Sequence, residues 1–307
     1  MTALPVLSLR ELADDKPEAL HALTRACSED GFFYLVDHQL SRALINDCLE
    51  AAQRFFQLPH ATKMRYGHAR QPGYPPTARG YVRPYGETLH PAHGPDRKQH
   101  LDWGLDRPGG GAFCGPGLVP DDATAPGLTA AALSLQASVV EHIFPLLRRA
   151  IAHALDLPDG VLEAYFAAPV VIQRASYYPA DGGSAGKHTD NGFLTVLIQQ
   201  PLAQPSLQIF TQDRWRDVPC LDNALVINLG DMLQRWTAGK WVSTPHQVCH
   251  RQARHRVSLA FFLYPSLDAV ISPLDGGADF NTQAMMLNNF DSIWQRGTGA
   301  GRAQELA

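Results

Sequence analysis

The chain has 307 residues, 26 Lys and Arg against 30 Asp and Glu, and a formal net charge of −4. With no basic stripe along its length, it lacks the electrostatic footprint of a nucleic-acid-binding protein, and a small-molecule substrate is favoured. No charged N-terminal segment precedes a long apolar run and no stretch approaches a membrane span, so a cytoplasmic monomer with no membrane partner is expected.

In chain order, alternation and apolar spacing predict a strand over 6–9, a helix over 16–30, a strand over 32–36 and a helix over 41–56. Gly and Pro concentrate at 107–111 and 115–126, which predicts a long loop. Residues 129–155 carry Leu135, Val139, Ile143, Leu147 and Ile151 at helical spacing, so this helix should present an apolar core face and kink at Pro145. Beyond Leu162 the pattern changes to short strands at 170–178, 193–199, 207–210, 215–218, 224–229 and 257–264. Short strands separated by turn residues predict an α+β protein with a jelly-roll barrel, a double-stranded β-helix, flanked by helices. Length alone permits two domains, but no linker or repeat divides the chain. One domain is expected, with an N-terminal region (1–125), backing helices (126–165), a barrel core (166–270) and a C-terminal segment (271–307). Cys27, Cys48, Cys114, Cys220 and Cys249 are odd in number, have no CxxC spacing and read as reduced structural thiols.

The chemistry concentrates late in the chain. In an extended segment residues i and i+2 share a face, so His188 and Asp190 can grip one metal from a strand edge. His246, after Ser243-Thr244-Pro245, would complete two neutral nitrogens and one hard carboxylate oxygen, the set that holds non-haem Fe(II) with positions left open. His250 and His255 compete with His246 nearby. An H-x-D triplet alone is weak, and His100-Leu101-Asp102 is a second one. It lies beside Asp96-Arg97-Lys98-Gln99 and before Trp103-Gly104, which reads as the start of a strand, without a downstream partner at suitable distance, and His100 reads as a surface or pocket-rim histidine. Residues 182–186 read as a flexible, Gly-rich approach to His188.

A longer series now resembles one family. Asp30 to His38, Phe55-Phe56-Gln57-Leu58-Pro59 with Lys63, Arg79-Gly80-Tyr81, Tyr178-Pro179, His188-Thr189-Asp190, Gly230-Asp231-Met232-Leu233, Thr237-Ala238-Gly239, the His246 segment and Arg256-Val257-Ser258 cover nearly the whole chain. The chain is similar to the isopenicillin N synthase-like branch of the Fe(II)/2-oxoglutarate-dependent dioxygenases. The resemblance implies Fe(II), 2-oxoglutarate and O2 as cofactors, with His188, Asp190 and His246 as metal ligands. Arg256 and Ser258 would bind the distal carboxylate of 2-oxoglutarate, a planar guanidinium meeting a carboxylate through two parallel hydrogen bonds. Tyr178 would add a phenol hydrogen bond, and Ser176 stands where an asparagine is frequent beside the metal-bound end. Two departures touch no ligand: Ala238 replaces a common asparagine and Gln247 a common arginine. The retained Asp190 disfavours halogenation.

The implied reaction is oxidative decarboxylation of 2-oxoglutarate to succinate and CO2, driving hydroxylation, desaturation or cyclisation at an unactivated C–H of a small metabolite. An amino acid, a small peptide or an intermediate of specialised metabolism would fit. By analogy the substrate walls come from Tyr81, Arg83, Phe193 and Phe290, with the Trp103 region and Trp294 near, and Arg83 is a candidate partner for a substrate carboxylate. Two alternatives remain. One is a 2-oxoglutarate-independent non-haem iron oxidase, with Arg256 holding the substrate's own carboxylate; the other is a non-enzymatic metal- or ligand-binding jelly roll.

Overall fold

The structure, a computed structural model, describes residues 4–67, 79–106, 112–115 and 119–290. Its centre is β12 (Arg256–Ser266), which pairs antiparallel with β5 (Pro169–Tyr178) on one side and β7 (Leu194–Gln199) on the other. Both faces of β12 are covered, so its sequence reads as an almost continuous apolar run, but the pleat sorts it by function. Val257, Leu259, Phe261 and Leu263 point outward into the main core. Arg256, Ser258, Ala260 and Phe262 point inward and line a cavity. Each fully buried apolar side chain on the outer face contributes about 1.5–3 kcal/mol.

The large sheet is completed by β1 (Val6–Ser8), β2 (Phe32–Val36), β10 (Leu225–Leu229), β4 (Gln99–Gly104) and β3 (Gly80–Val82), in the order β1-β2-β10-β7-β12-β5-β4-β3. Facing it is a small sheet, β6-β11-β8-β9, made from β6 (Gly183–His188), β11 (His246–His250), β8 (Leu207–Thr211) and β9 (Arg214–Val218). The two sheets form the jelly roll, and a short ribbon of β13 (Val270–Ile271) and β14 (Phe280–Asn281) follows it. Strands β1 to β4 lie in the region before residue 125 and join the same sheet as β5, β7, β10 and β12.

Helices back the outer face. α1 (Leu9–Ala13) and α2 (Pro17–Glu29) flank β1, α3 (Arg42–Gln57) lays Phe55 and Phe56 on the sheet, with the Phe56 ring 5.6 Å from that of Tyr177, and α4 (His60–Met64) follows. The helix predicted over 129–155 forms as α5 (Leu128–Ser138) and α6 (Phe144–Ala154), joined without a break by a π turn at Val139–Ile143. Pro145, where the kink is predicted, directly follows that π turn, the change of hydrogen-bond register that accommodates its missing N–H. By length and composition Leu128–Ala154 could cross a membrane, which corrects the expectation that no stretch approaches that length. Here its Leu135, Val139, Ile143, Leu147 and Ile151 stripe is buried in the protein core.

Three sequence expectations change. Residues 183–186, expected to be a flexible approach, belong to β6, because Gly183, Ser184 and Ala185 pair with β11. β4 ends at Trp103-Gly104, where a strand start was expected. His100 is 0% exposed, not at the surface, because the inner face of β4 is sealed inside the barrel.

Candidate metal centre and cosubstrate pocket

His188 ends β6 and His246 begins β11, and the two are direct cross-strand partners. Their rings lie 4.2 Å apart between centroids, with Phe32 edge-on to His246 at 5.3 Å. Asp190 stands two residues beyond His188, and its Oδ1 lies 3.9 Å from His188 Nε2 and 3.7 Å from His246 Nε2. One donor atom from each of the three lies within 4.8 Å of the others, the set the sequence predicts.

The surroundings fix which atoms face inward. His188 Nδ1 is 2.7 Å from the Gly186 carbonyl and His246 Nδ1 is 3.1 Å from the Thr244 carbonyl. A carbonyl only accepts, so each Nδ1 carries a proton, and the tautomer this selects is the one whose Nε2 offers a lone pair to the site. Asp190 Oδ2 accepts from Thr195 Oγ1 at 2.5 Å and from Asn228 Nδ2 at 2.7 Å, which turns Oδ1 toward the imidazoles. Burial and the neighbouring His246 push His188 down to about 3, so it is neutral, as a ligand must be. Burial opposes ionisation of Asp190, but both histidines and the two hydrogen bonds outweigh it and hold the carboxyl below its ordinary range.

The loop carrying Asp190 is clamped to α7 (Asp231–Trp236): Asp231 N donates to the Asp190 carbonyl at 2.7 Å, and Thr189 Oγ1 to Asp231 Oδ2 at 3.0 Å. Only a residue without Cβ fits at Gly230, where an added Cβ would stand 2.0 Å from the Gly192 carbonyl oxygen. Ala238, in place of the family's common asparagine, has φ +54°, a left-handed conformation that asparagine tolerates better. Gln247 donates to Gln208 Oε1 at 2.9 Å on the small sheet and does not line the cavity. The competing His250 is committed to Ser206 Oγ and the Arg254 carbonyl, and His255 stacks on Tyr177.

The four residues predicted for the cosubstrate form two cross-strand pairs, Arg256↔Tyr178 and Ser258↔Ser176, and all line the cavity that also holds the triad. Arg256 is 2% exposed; its Nη2 meets Gln199 Oε1 at 3.2 Å, its Nη1 meets Ser258 Oγ at 3.4 Å, and its guanidinium lies 4.9 Å from the Tyr178 ring centroid. Among the described residues no carboxylate pairs with it, and burial pulls its pKa down. A guanidinium this deeply buried calls for an anion, and the cavity beside it can admit a carboxylate.

The outer part of the cavity is less apolar than a core. Leu89, Ile172, Met286 and Phe290 share it with Glu87 and Arg174. Arg174 grips Asp102 with Nε and Nη2, both at 2.8 Å, and reaches Glu87 Oε1 at 3.4 Å. Lys98 Nζ meets Glu87 Oε2 at 2.7 Å. Burial favours a neutral Glu87, but Lys98 and Arg174 outweigh it and hold the carboxyl well below its usual value. His100, between these groups, is pushed down to about 3 by burial and by Arg174. This charged cluster was not anticipated. Its trace in the sequence is Lys98, His100 and Asp102 at period 2, one polar face leading into β4.

Of the predicted substrate wall, Phe290 lines the outer cavity. Tyr81 does not: the β3 pleat points it outward, where its hydroxyl donates to Gln99 Oε1 at 2.7 Å. Phe193 packs into the core against Phe166 (5.0 Å) and Trp236 (6.1 Å). Arg83, just past β3 at the sheet edge, is not among the cavity-lining residues, and Trp103 points outward to Gln173 Oε1 at 2.9 Å. Trp294 lies outside the described residues. Thr195 and Asn228 were overlooked, although a polar residue inside each of two apolar strands marked them.

Comparison with known proteins shows the family. Residues 4–122 match the model of the non-haem dioxygenase N-terminal region described from morphine synthesis, and residues 169–265 match the 2OG-Fe(II) oxygenase superfamily. The 2-oxoglutarate-dependent dioxygenase tropC of Talaromyces stipitatus is 30% identical over 289 residues, covering 88% of this chain and 87% of its own. Homoarginine-6-hydroxylase 2-ODD-233 of rice is 30% identical, covering 85% and 82%. Among solved structures, a full-length Neurospora crassa protein in complex with alpha-KG and thymine superposes with a TM-score of 0.81 at 21% identity, covering 94% and 96%. A 2OG-Fe(II) oxygenase family protein from Caulobacter crescentus gives 0.80 at 26% identity, covering 95% and 99%. The chain therefore belongs to the isopenicillin N synthase-like Fe(II)- and 2-oxoglutarate-dependent dioxygenases, an enzyme family whose cofactors are Fe(II), 2-oxoglutarate and O2.

Proposed function

We propose that the protein hydroxylates an unactivated C–H of a small metabolite, with His188, Asp190 and His246 holding iron and Arg256, Ser258, Tyr178 and Ser176 holding 2-oxoglutarate. The observation that carries this assignment is Arg256: a buried guanidinium with no carboxylate partner among the described residues, in the same cavity as two Nε2 lone pairs and a free-facing carboxylate oxygen. The donor set fits Fe(II), and the guanidinium fits the distal carboxylate of the keto acid. Bound iron and 2-oxoglutarate supply the oxidising chemistry, which consumes O2 and releases succinate and CO2.

The chain's own residues do the rest. The Gly186 and Thr244 carbonyls keep the imidazoles in the ligating tautomer. Thr195 and Asn228 hold Asp190 Oδ2, so that one oxygen is offered to the metal. Leu89, Ile172, Met286 and Phe290 exclude water from the substrate side, while Glu87 and Arg174 give that side a polar edge. A substrate with an apolar body and a polar group matches this lining, and the rice relative's name, homoarginine hydroxylase, describes a substrate of that size. The net charge of −4 argues against a nucleic-acid partner, and we assign the chain to the cytoplasm as a monomer of one domain.

Succinate release tests the proposal. Purified protein with Fe(II), O2 and 2-oxoglutarate should release succinate slowly alone and faster with a metabolite that becomes hydroxylated. Arg256→Ala should weaken 2-oxoglutarate binding by about 2–5 kcal/mol. O2 consumption that continues unchanged without 2-oxoglutarate would overturn it in favour of the oxidase.

A further inference from the structure

The cavity between the metal triad and Arg256 contains a second buried cation, Lys98. It sits immediately before β4, and the register Gln99↔Tyr177 and His100↔Ser176 carries it to the level of Tyr178 on the inner face. It is 5% exposed. Its Nζ contacts Glu87 Oε2 at 2.7 Å, whereas Asp96 Oδ2 is 3.8 Å away, beyond hydrogen-bonding distance. Asp96 is instead occupied with the backbone, accepting from Gly186 N at 2.8 Å and Leu89 N at 3.3 Å. An ammonium has three donors, and these contacts use at most two.

A dianionic keto acid entering this cavity meets Arg256 and Ser258 at its far end. Its other carboxylate would face the triad side of the cavity, where Asp190 is a negative neighbour and Ser176 offers only a short hydroxyl. Lys98 is placed to answer that need: it lines the same cavity as His188 and Ser176, and Asp96, 3.8 Å from its Nζ, accepts from Gly186 N two residues before His188. Glu87 and Asp96 hold it ready before the ligand arrives, a preorganisation that spares the ligand the cost of ordering a long side chain. We propose that Lys98 is a cosubstrate-binding residue that donates a charged hydrogen bond to the metal-bound carboxylate of 2-oxoglutarate; the inference rests on the 2-oxoglutarate reading of the site above.

The test is an anaerobic titration of 2-oxoglutarate into the Fe(II)-loaded protein, following the visible charge-transfer band of the chelated keto acid. Lys98→Met should raise the dissociation constant about tenfold to a hundredfold, the loss of one hydrogen bond to a charged group, and should shift the band maximum. Lys98→Arg, which keeps the charge, should recover most of the affinity. Arg256→Ala should weaken binding and leave the band maximum in place, because it acts at the far end. Glu87→Gln/Lys98→Met removes the stranded carboxylate and serves if Lys98→Met alone does not fold. A Lys98→Met protein that keeps its iron, with wild-type affinity and band maximum, would overturn the role of Lys98 alone. A wild-type protein that binds iron but shows no band would overturn the 2-oxoglutarate reading and this inference together.

Discussion

His188-Thr189-Asp190, which runs off the end of β6, and His100-Leu101-Asp102, inside β4, are the same three-residue pattern, yet they have opposite fates. In the first, two hydrogen bonds hold one carboxylate oxygen and leave the other facing two imidazoles. In the second, Arg174 takes both oxygens of Asp102, and neither nitrogen of His100 finds a hydrogen bond. The difference lies in what stands opposite. β11 brings a second imidazole to His188, whereas β5 brings a guanidinium to Asp102. A carboxylate already bidentate with arginine has little left for a metal.

Breaking each triplet separately should expose that contrast. The largest effect is expected at the metal: His246→Ala or Asp190→Ala should abolish stoichiometric Fe(II) binding in equilibrium dialysis, while His100→Ala should keep it. Iron retained in the first two, or lost in the third, would reverse the assignment.

Next comes Arg174→Met, which strands the buried Asp102 and Glu87 and should lower unfolding stability by about 3–5 kcal/mol in urea titrations. Adding Asp102→Leu should recover part of that loss. A near-neutral single variant would mean that the ion pair is not needed to keep the cluster buried.

Asn228→Ala leaves all three ligand atoms in place but frees Asp190 Oδ2, and should weaken iron binding about 10–100-fold. The smallest effect sharpens the comparison through pH. His100 is held near 3 when folded and titrates near 6.5 when unfolded, so below about pH 6.5 the unfolded chain binds the extra proton and stability falls. His100→Leu should reduce the slope of stability against pH by about 1.4 kcal/mol per unit between pH 6 and 4. An unchanged slope would mean that His100 is protonated in the fold.

Much of the site was legible in the sequence because its logic is local. Period 2 joins His188 to Asp190 and Arg256 to Ser258, and Ser243-Thr244-Pro245 separates His246 from its rivals. The substrate wall was less legible. Tyr81, Phe193 and Trp103 are aromatic residues near the right segments, but the pleat turns Tyr81 and Trp103 outward and core packing takes Phe193. A one-residue change of parity reverses the face, and nothing in a short strand such as Gly80–Val82 fixes that parity locally.

The sequence by itself determined the jelly roll, the three side chains proposed to hold iron and the Arg256-x-Ser258 pair, because alternation and strand spacing act over a few residues. Only the tertiary structure decided that β6 is a strand, that a π turn accommodates Pro145, and that Lys98, Glu87, Arg174 and Asp102 meet in one buried cluster. These depend on which strands lie side by side, and pairing partners far apart in the chain are chosen by the fold as a whole.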